Sequence, residues 1–155
     1  MTPKGLLRLK QAASTMPDLA EGSFRPVLPD PDASPDEVRR LVLCSGKVYY
    51  DLAGHELRRV AGWIAIGRVE QLYPFPTAAT ADLVRLYPGL RELVWAQEEP
   101  QNMGAWRAIR HRLEEALPQG VALRYVGRPW RASPSEGYPT AHLKEQERIV
   151  REALS

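Results

Sequence analysis

The stretch VRRLVLCSGKVYYDLAGHEL, residues 38–57, decides the class of fold. It opens with an apolar run, Leu41 to Cys44, too short for a helix and suited to a strand buried on both faces. From Ser45 the period changes. Val48, Leu52 and Leu57 line one side of a helical pattern with Tyr49 beside them, and serine is a favoured residue at a helix start. A buried strand followed at once by an amphipathic helix is half of a parallel repeat.

The same alternation continues outward. GWIAIGRVEQL (62–72) reads as a second strand, ended by Pro74 and Pro76. Thr77 is the expected cap of a helix, TAATADLVRLY (77–87), which stops before Pro88 and Gly89. RELVWAQ (91–97) is a third strand. Asn102 is the expected cap of the helix MGAWRAIRHRLEEALP (103–118), closed by Gly120. VALRYVG (121–127) is a fourth strand, and TAHLKEQERIVREAL (140–154) the last helix. The pattern predicts a three-layer α/β/α domain with a mainly parallel sheet of four or five strands, because right-handed crossovers place helices on both faces.

Upstream the character differs. PVLPDPDASPDE (26–37) is rich in proline and acid, which resists both helix and strand. A short helix is expected over 17–21, capped by Thr15 or Ser14. Residues 1–36 therefore read as an extended arm or linker with a short helix, and residues 37–155 as the α/β domain.

Composition narrows the class. A chain of 155 residues with 44% hydrophobic and 26% charged residues fits one soluble globular domain. It has no apolar run near the ~18 residues of a membrane span and no signal-peptide pattern, so a cytoplasmic location is expected. A net charge of +2 without a basic, aromatic-laced cluster argues against nucleic acid. The single cysteine, Cys44, excludes an internal disulfide and reads as a buried, inert thiol. His55, His111 and His142 lack metal-ligand spacing.

In such a sheet, function collects in the loops after the strands. Ser45, Gly46 and Lys47 offer an anion-welcoming helix start, or simple capping. Glu70 to Pro76 is stiffened by prolines and carries Tyr73 and Phe75, which suits either docking or internal packing. In the third loop Glu98 and Glu99 precede Asn102, Gly104 and Trp106. Adjacent carboxylates on extended chain point apart, so contact or structural roles fit better than acid/base catalysis. The fourth, residues 127–139, is long, cationic and aromatic, with Arg128 and Trp130 as candidate clamps on a partner chain or carboxylate. His142 after it reads as a surface or capping residue. No catalytic residue, metal ligand or cofactor-binding residue is assigned, and no sequence for thiamine diphosphate or nucleotide binding is present.

MTPKGLLR (1–8), FRPV (24–27), LCSGKVYYDL (43–52), RVEQLYPFP (68–76), VWAQEEPQNMGAW (94–106), LRYVGRPWRASPSEGY (123–138) and HLKEQERIV (142–150) together resemble the carboxy-terminal domain of the decarboxylating subunit of 2-oxoglutarate dehydrogenase, in the transketolase-like superfamily. The likeness runs in order over nearly the whole chain. It implies a parent enzyme, an oxidoreductase of the tricarboxylic acid cycle. That enzyme decarboxylates 2-oxoglutarate with thiamine diphosphate and magnesium held in other domains. It works as a homodimer and passes a succinyl group to the dihydrolipoamide succinyltransferase component. The resemblance also implies that the MTPK segment normally lies inside a longer chain, that this domain buttresses the dimer, and that it is inactive alone. In actinobacterial relatives an acetyl-CoA effector site uses a glutamine matching Gln71 and two arginines. Ala78 and Ala79 stand at the arginine positions here, and Ser23 and Pro26 replace a lysine and serine of that site, so an acyl-CoA effector is not expected. Gln71 and Lys47 stay as candidate effector contacts.

Two other readings remain open at this point. One is an interaction module that pairs with a separately encoded catalytic chain. The other is a flavodoxin-type small-molecule binder using the Ser45–Lys47 helix start.

Overall fold

A computed structural model describes residues 4–155, so the first three residues of the MTPK segment lie outside it. Five strands form one sheet: β1 (Val27–Leu28), β2 (Arg40–Cys44), β3 (Ile64–Val69), β4 (Glu92–Pro100) and β5 (Ala122–Arg128). Their order is β1-β3-β2-β4-β5. β3, β2, β4 and β5 run parallel, and β1 joins β3 antiparallel, with Val27 opposite Val69. The helices are α1 (Met16–Ala20), α2 (Val48–Gly54), α3 (Thr77–Arg85), α4 (Trp106–Ala116) and α5 (Pro139–Ala153).

Period-two alternation along each strand feeds two cores. Leu41, Leu43, Leu93 and Trp95 face α3 and α4, meeting Leu83, Val84, Ile109 and Leu113. Val42, Cys44, Val94 and Ala96 face the other way, onto Val48 and Leu52 of α2 and Ile149, Val150 and Ala153 of α5. Both faces of β2 are covered, which is why its run reads as continuously apolar.

Two expectations need correction. The proline- and acid-rich stretch expected to resist strand does contribute one, because Val27 and Leu28 add the fifth strand to the sheet. Asp30 then fastens it: its carboxylate accepts from Arg58 Nη2 at 2.8 Å and Ile66 N at 2.7 Å. The predicted caps also fail. Ser45, Thr77 and Asn102 give no side-chain hydrogen bond to the starts of α2, α3 or α4. α2 starts after Lys47, two residues beyond Ser45, and the Thr80 hydroxyl, not that of Thr77, reaches Pro76 O at 3.0 Å. The short arm helix does start at Thr15, whose side chain forms a reciprocal capping box with Asp18.

Cys44 is fully buried beside Gly67 O. Burial pushes its thiol far above the ordinary range. Native protein at pH 8 should therefore resist a disulfide-exchange reagent such as DTNB, and one thiol per chain should react once guanidinium unfolds it. Rapid stoichiometric labelling of folded protein would contradict this burial.

Candidate functional site

The order of the strands creates a reversal. From β2 the chain crosses to β3 on one side and later returns to β4 on the other. Ligand sites of open α/β sheets favour the carboxyl ends of strands at such a point. Here the loop after β2 meets the end of β4 through charge. Lys47 Nζ lies 3.5 Å from Glu98 Oε1 and also pairs with Asp51 on α2. Partial burial alone would lower the Lys47 pKa, but the hydrogen bond to Asp51 and the charge of Glu98 outweigh it and hold the pKa above the ordinary lysine range. Lys47 is a fixed cation whose partners are already present.

The third loop is organised by a residue not singled out in the sequence. Gln97 is only 4% exposed. Its Oε1 accepts from Trp95 Nε1 at 2.9 Å and from Trp106 N at 3.1 Å, so it does the capping work at the start of α4. Its amide nitrogen is shared among Glu99 O, Pro100 O and Met103 O at 2.9–3.3 Å. Gly104 turns the chain here at φ +64°, where an added Cβ would crowd the Gln97 amide. A glutamine at the end of an apolar strand was the available signal, since a buried amide needs several partners.

Asn102 serves the neighbouring loop instead of a helix. Its Nδ2 donates to Arg131 O at 2.9 Å and its Oδ1 accepts from Arg131 N at 3.1 Å. Glu98 and Glu99 are not brought together as an acid/base pair. Glu98 points to Lys47, whereas the Glu99 side chain lies beside Gly104. The backbone carbonyls of Glu99 and Arg128 flank the Tyr125 hydroxyl at 3.0 and 2.9 Å. Burial first, then the charge of Glu99, pushes that phenol up to about 12, so it stays neutral at ordinary pH.

Two candidate contact residues are interior. Trp106 is buried in the core against Tyr125, with ring centroids 5.3 Å apart. Arg128 is 2% exposed, donates to Glu98 O and His142 Nδ1, and sits 3.7 Å from Glu136. Neither offers a free surface: Arg128 is enclosed by Glu98 O, Glu136 and His142, and Trp106 packs inward from the start of α4. Phe75 is partly buried against the first core. Tyr73, 93% exposed, and Trp130, 65% exposed, are free, the latter with the Arg107 guanidinium 5.9 Å from its ring. Gln71 spends its amide on Pro74 O at 2.7 Å, and no hydrogen bond links it to Lys47 among the described residues. His142 is half-buried and holds Arg128, a role beyond the surface or capping one expected.

The residues at this end do not fit a diphosphate with its metal. The carboxylates of Glu98 and Glu136 are each committed to a cation of the domain, and no group of three His, Cys, Asp or Glu could hold a metal ion among the described residues. No described helix is long and apolar enough to cross a membrane.

The profile of the family described as 2-oxoglutarate dehydrogenase C-terminal matches residues 13–154. The 2-oxoglutarate dehydrogenase E1 component of Bacillus subtilis is 49% identical over 100% of this chain, and that of Cupriavidus necator 46% identical over 100%. The chain spans only 17% and 16% of those two relatives. A solved structure described as a split-gene transketolase, inactive beta4 tetramer, superposes with a TM-score of 0.60 over 84% of this chain and 42% of its own, at 19% identity, which shows a shared fold. With a family profile covering nearly its whole length and relatives of this closeness, the chain belongs to the 2-oxoglutarate dehydrogenase C-terminal family.

Proposed function

We propose that this chain is the scaffold and contact domain of the decarboxylating subunit of 2-oxoglutarate dehydrogenase, and that catalysis resides in the rest of that subunit. One observation carries the reading: the polar side chains at the carboxyl ends of the strands are bonded to one another, as in the Lys47–Glu98 and Arg128–Glu136 pairs. Thiamine diphosphate and magnesium belong, in this reading, to the parent enzyme. Exposed Tyr73 and Trp130, with Glu99, are the contact residues toward the rest of the subunit and its homodimer mate. The dihydrolipoamide succinyltransferase component is a partner of the assembled enzyme. Residues 37–155 form the domain, to which the arm is attached from β1 onward. Gln71 and Lys47 are effector contacts only where a ligand displaces their present partners.

The purified chain, given 2-oxoglutarate, thiamine diphosphate and magnesium, should release no carbon dioxide above a protein-free control. Steady release from labelled substrate, lost on heat denaturation, would overturn the scaffold reading.

A further inference from the structure

Arg128 brings a charge into the interior at the end of β5, and the way it is held has a chemical consequence. Its guanidinium has three neighbours: Glu98 O from β4, Glu136 from the loop, and His142 Nδ1 from the first turn of α5 at 3.1 Å. A guanidinium only donates, so the His142 nitrogen facing it must be an acceptor. That requires the neutral ring with its proton on Nε2. Protonation would put an N–H where Arg128 needs a lone pair and set two cations at hydrogen-bond distance. The charged groups gathered about this contact are Arg128 from β5, Arg131 and Glu136 from the loop, which pair around Arg128, and Glu145 one turn along α5, which feels the charges of Arg131 and Arg128. Among the described residues none but Arg128 hydrogen-bonds the imidazole.

The same cluster holds the loop between β5 and α5. Glu136 pairs with both Arg128 and Arg131, and Arg131 is fixed by its backbone to Asn102. We propose that the Arg128–His142 contact is a proton-sensitive latch: neutral His142 keeps the loop of residues 129–138 and the start of α5 docked on β5, and protonated His142 releases them. The loop carries Trp130 and Tyr138, both exposed, so release would move the aromatic surface of this end without unfolding the sheet.

Hydrogen exchange of the 155-residue chain, corrected for intrinsic rates, tests this at pH 8 and pH 5.5. Peptides covering 129–142 should exchange roughly tenfold faster at the lower pH, while β2 and β4 stay protected. In His142→Gln, an amide oxygen can accept from Arg128 at either pH, and the difference should vanish. Equal protection of the loop at both pH values in the unmodified chain, or the same acid response in His142→Gln, would overturn the latch. If that variant does not fold, nitrogen-15 shifts of the His142 ring decide it. Nε2–H at pH 8 supports the proposal and Nδ1–H refutes it.

Discussion

Asp30→Ala should lower the unfolding free energy by about 3 kcal/mol and the melting midpoint by roughly 6–12 °C. Asp30 is 5% exposed and its partner Arg58 is 15% exposed, so the pair is largely out of water. Removing the carboxylate strands a buried guanidinium and also leaves Ile66 N, a donor on β3, without its acceptor. Breaking one member of such a pair costs far more than the pair contributes over an apolar replacement. Asp30→Asn should fall between, since its oxygen can still accept from Ile66 while the charge on Arg58 stays unbalanced. Urea titrations of the three proteins measure it. A loss below about 1 kcal/mol for Asp30→Ala would mean that the pair behaves like a surface contact. The same reasoning makes a chain starting at residue 37 unstable, because it lacks both β1 and Asp30.

Asp30 also marks where the sequence stops being legible. The four parallel strands stand out because Leu41 to Cys44 and Leu93 to Ala96 must be apolar on both sides, and such runs have few other uses. β1 carries no such pattern. It is two residues long, flanked by Pro26 and Pro29, and its pairing depends on a strand some forty positions away. Local preferences misled at the helix starts for a related reason. Ser45, Thr77 and Asn102 are cap-forming types, but a cap needs only one acceptor for the free N–H groups. At α4 the distant Gln97 supplies it, which leaves Asn102 to bind Arg131. The loop residues were legible as an unusual group. Which of them face inward was not: Arg128 and Trp106 look like surface clamps until the loop and α5 close over the first and α4 turns the second onto the core.

Gln97→Ala should cost about 3–5 kcal/mol, the larger of the two losses expected in this domain. The amide holds five partners, and the change would strand Trp95 Nε1, buried at 1% exposure, and Trp106 N at the start of α4. The Met103 carbonyl loses its donor as well, whereas Pro100 O keeps Met103 N and Glu99 O keeps the Tyr125 hydroxyl. Gly104→Ala reaches the same knot from outside. Its positive φ costs about 1–2 kcal/mol for any residue with a Cβ, and that Cβ would press on the Gln97 amide nitrogen and the Glu99 side chain. The two changes should therefore couple. With the amide gone, the alanine at 104 meets less obstruction, and the double variant should be more stable than the summed losses by roughly 0.5–1 kcal/mol. Denaturant unfolding of all four proteins closes the cycle. Strict additivity would show that Gly104 is needed for its backbone conformation alone, and a small effect of Gln97→Ala would show that water replaces the amide at the end of β4.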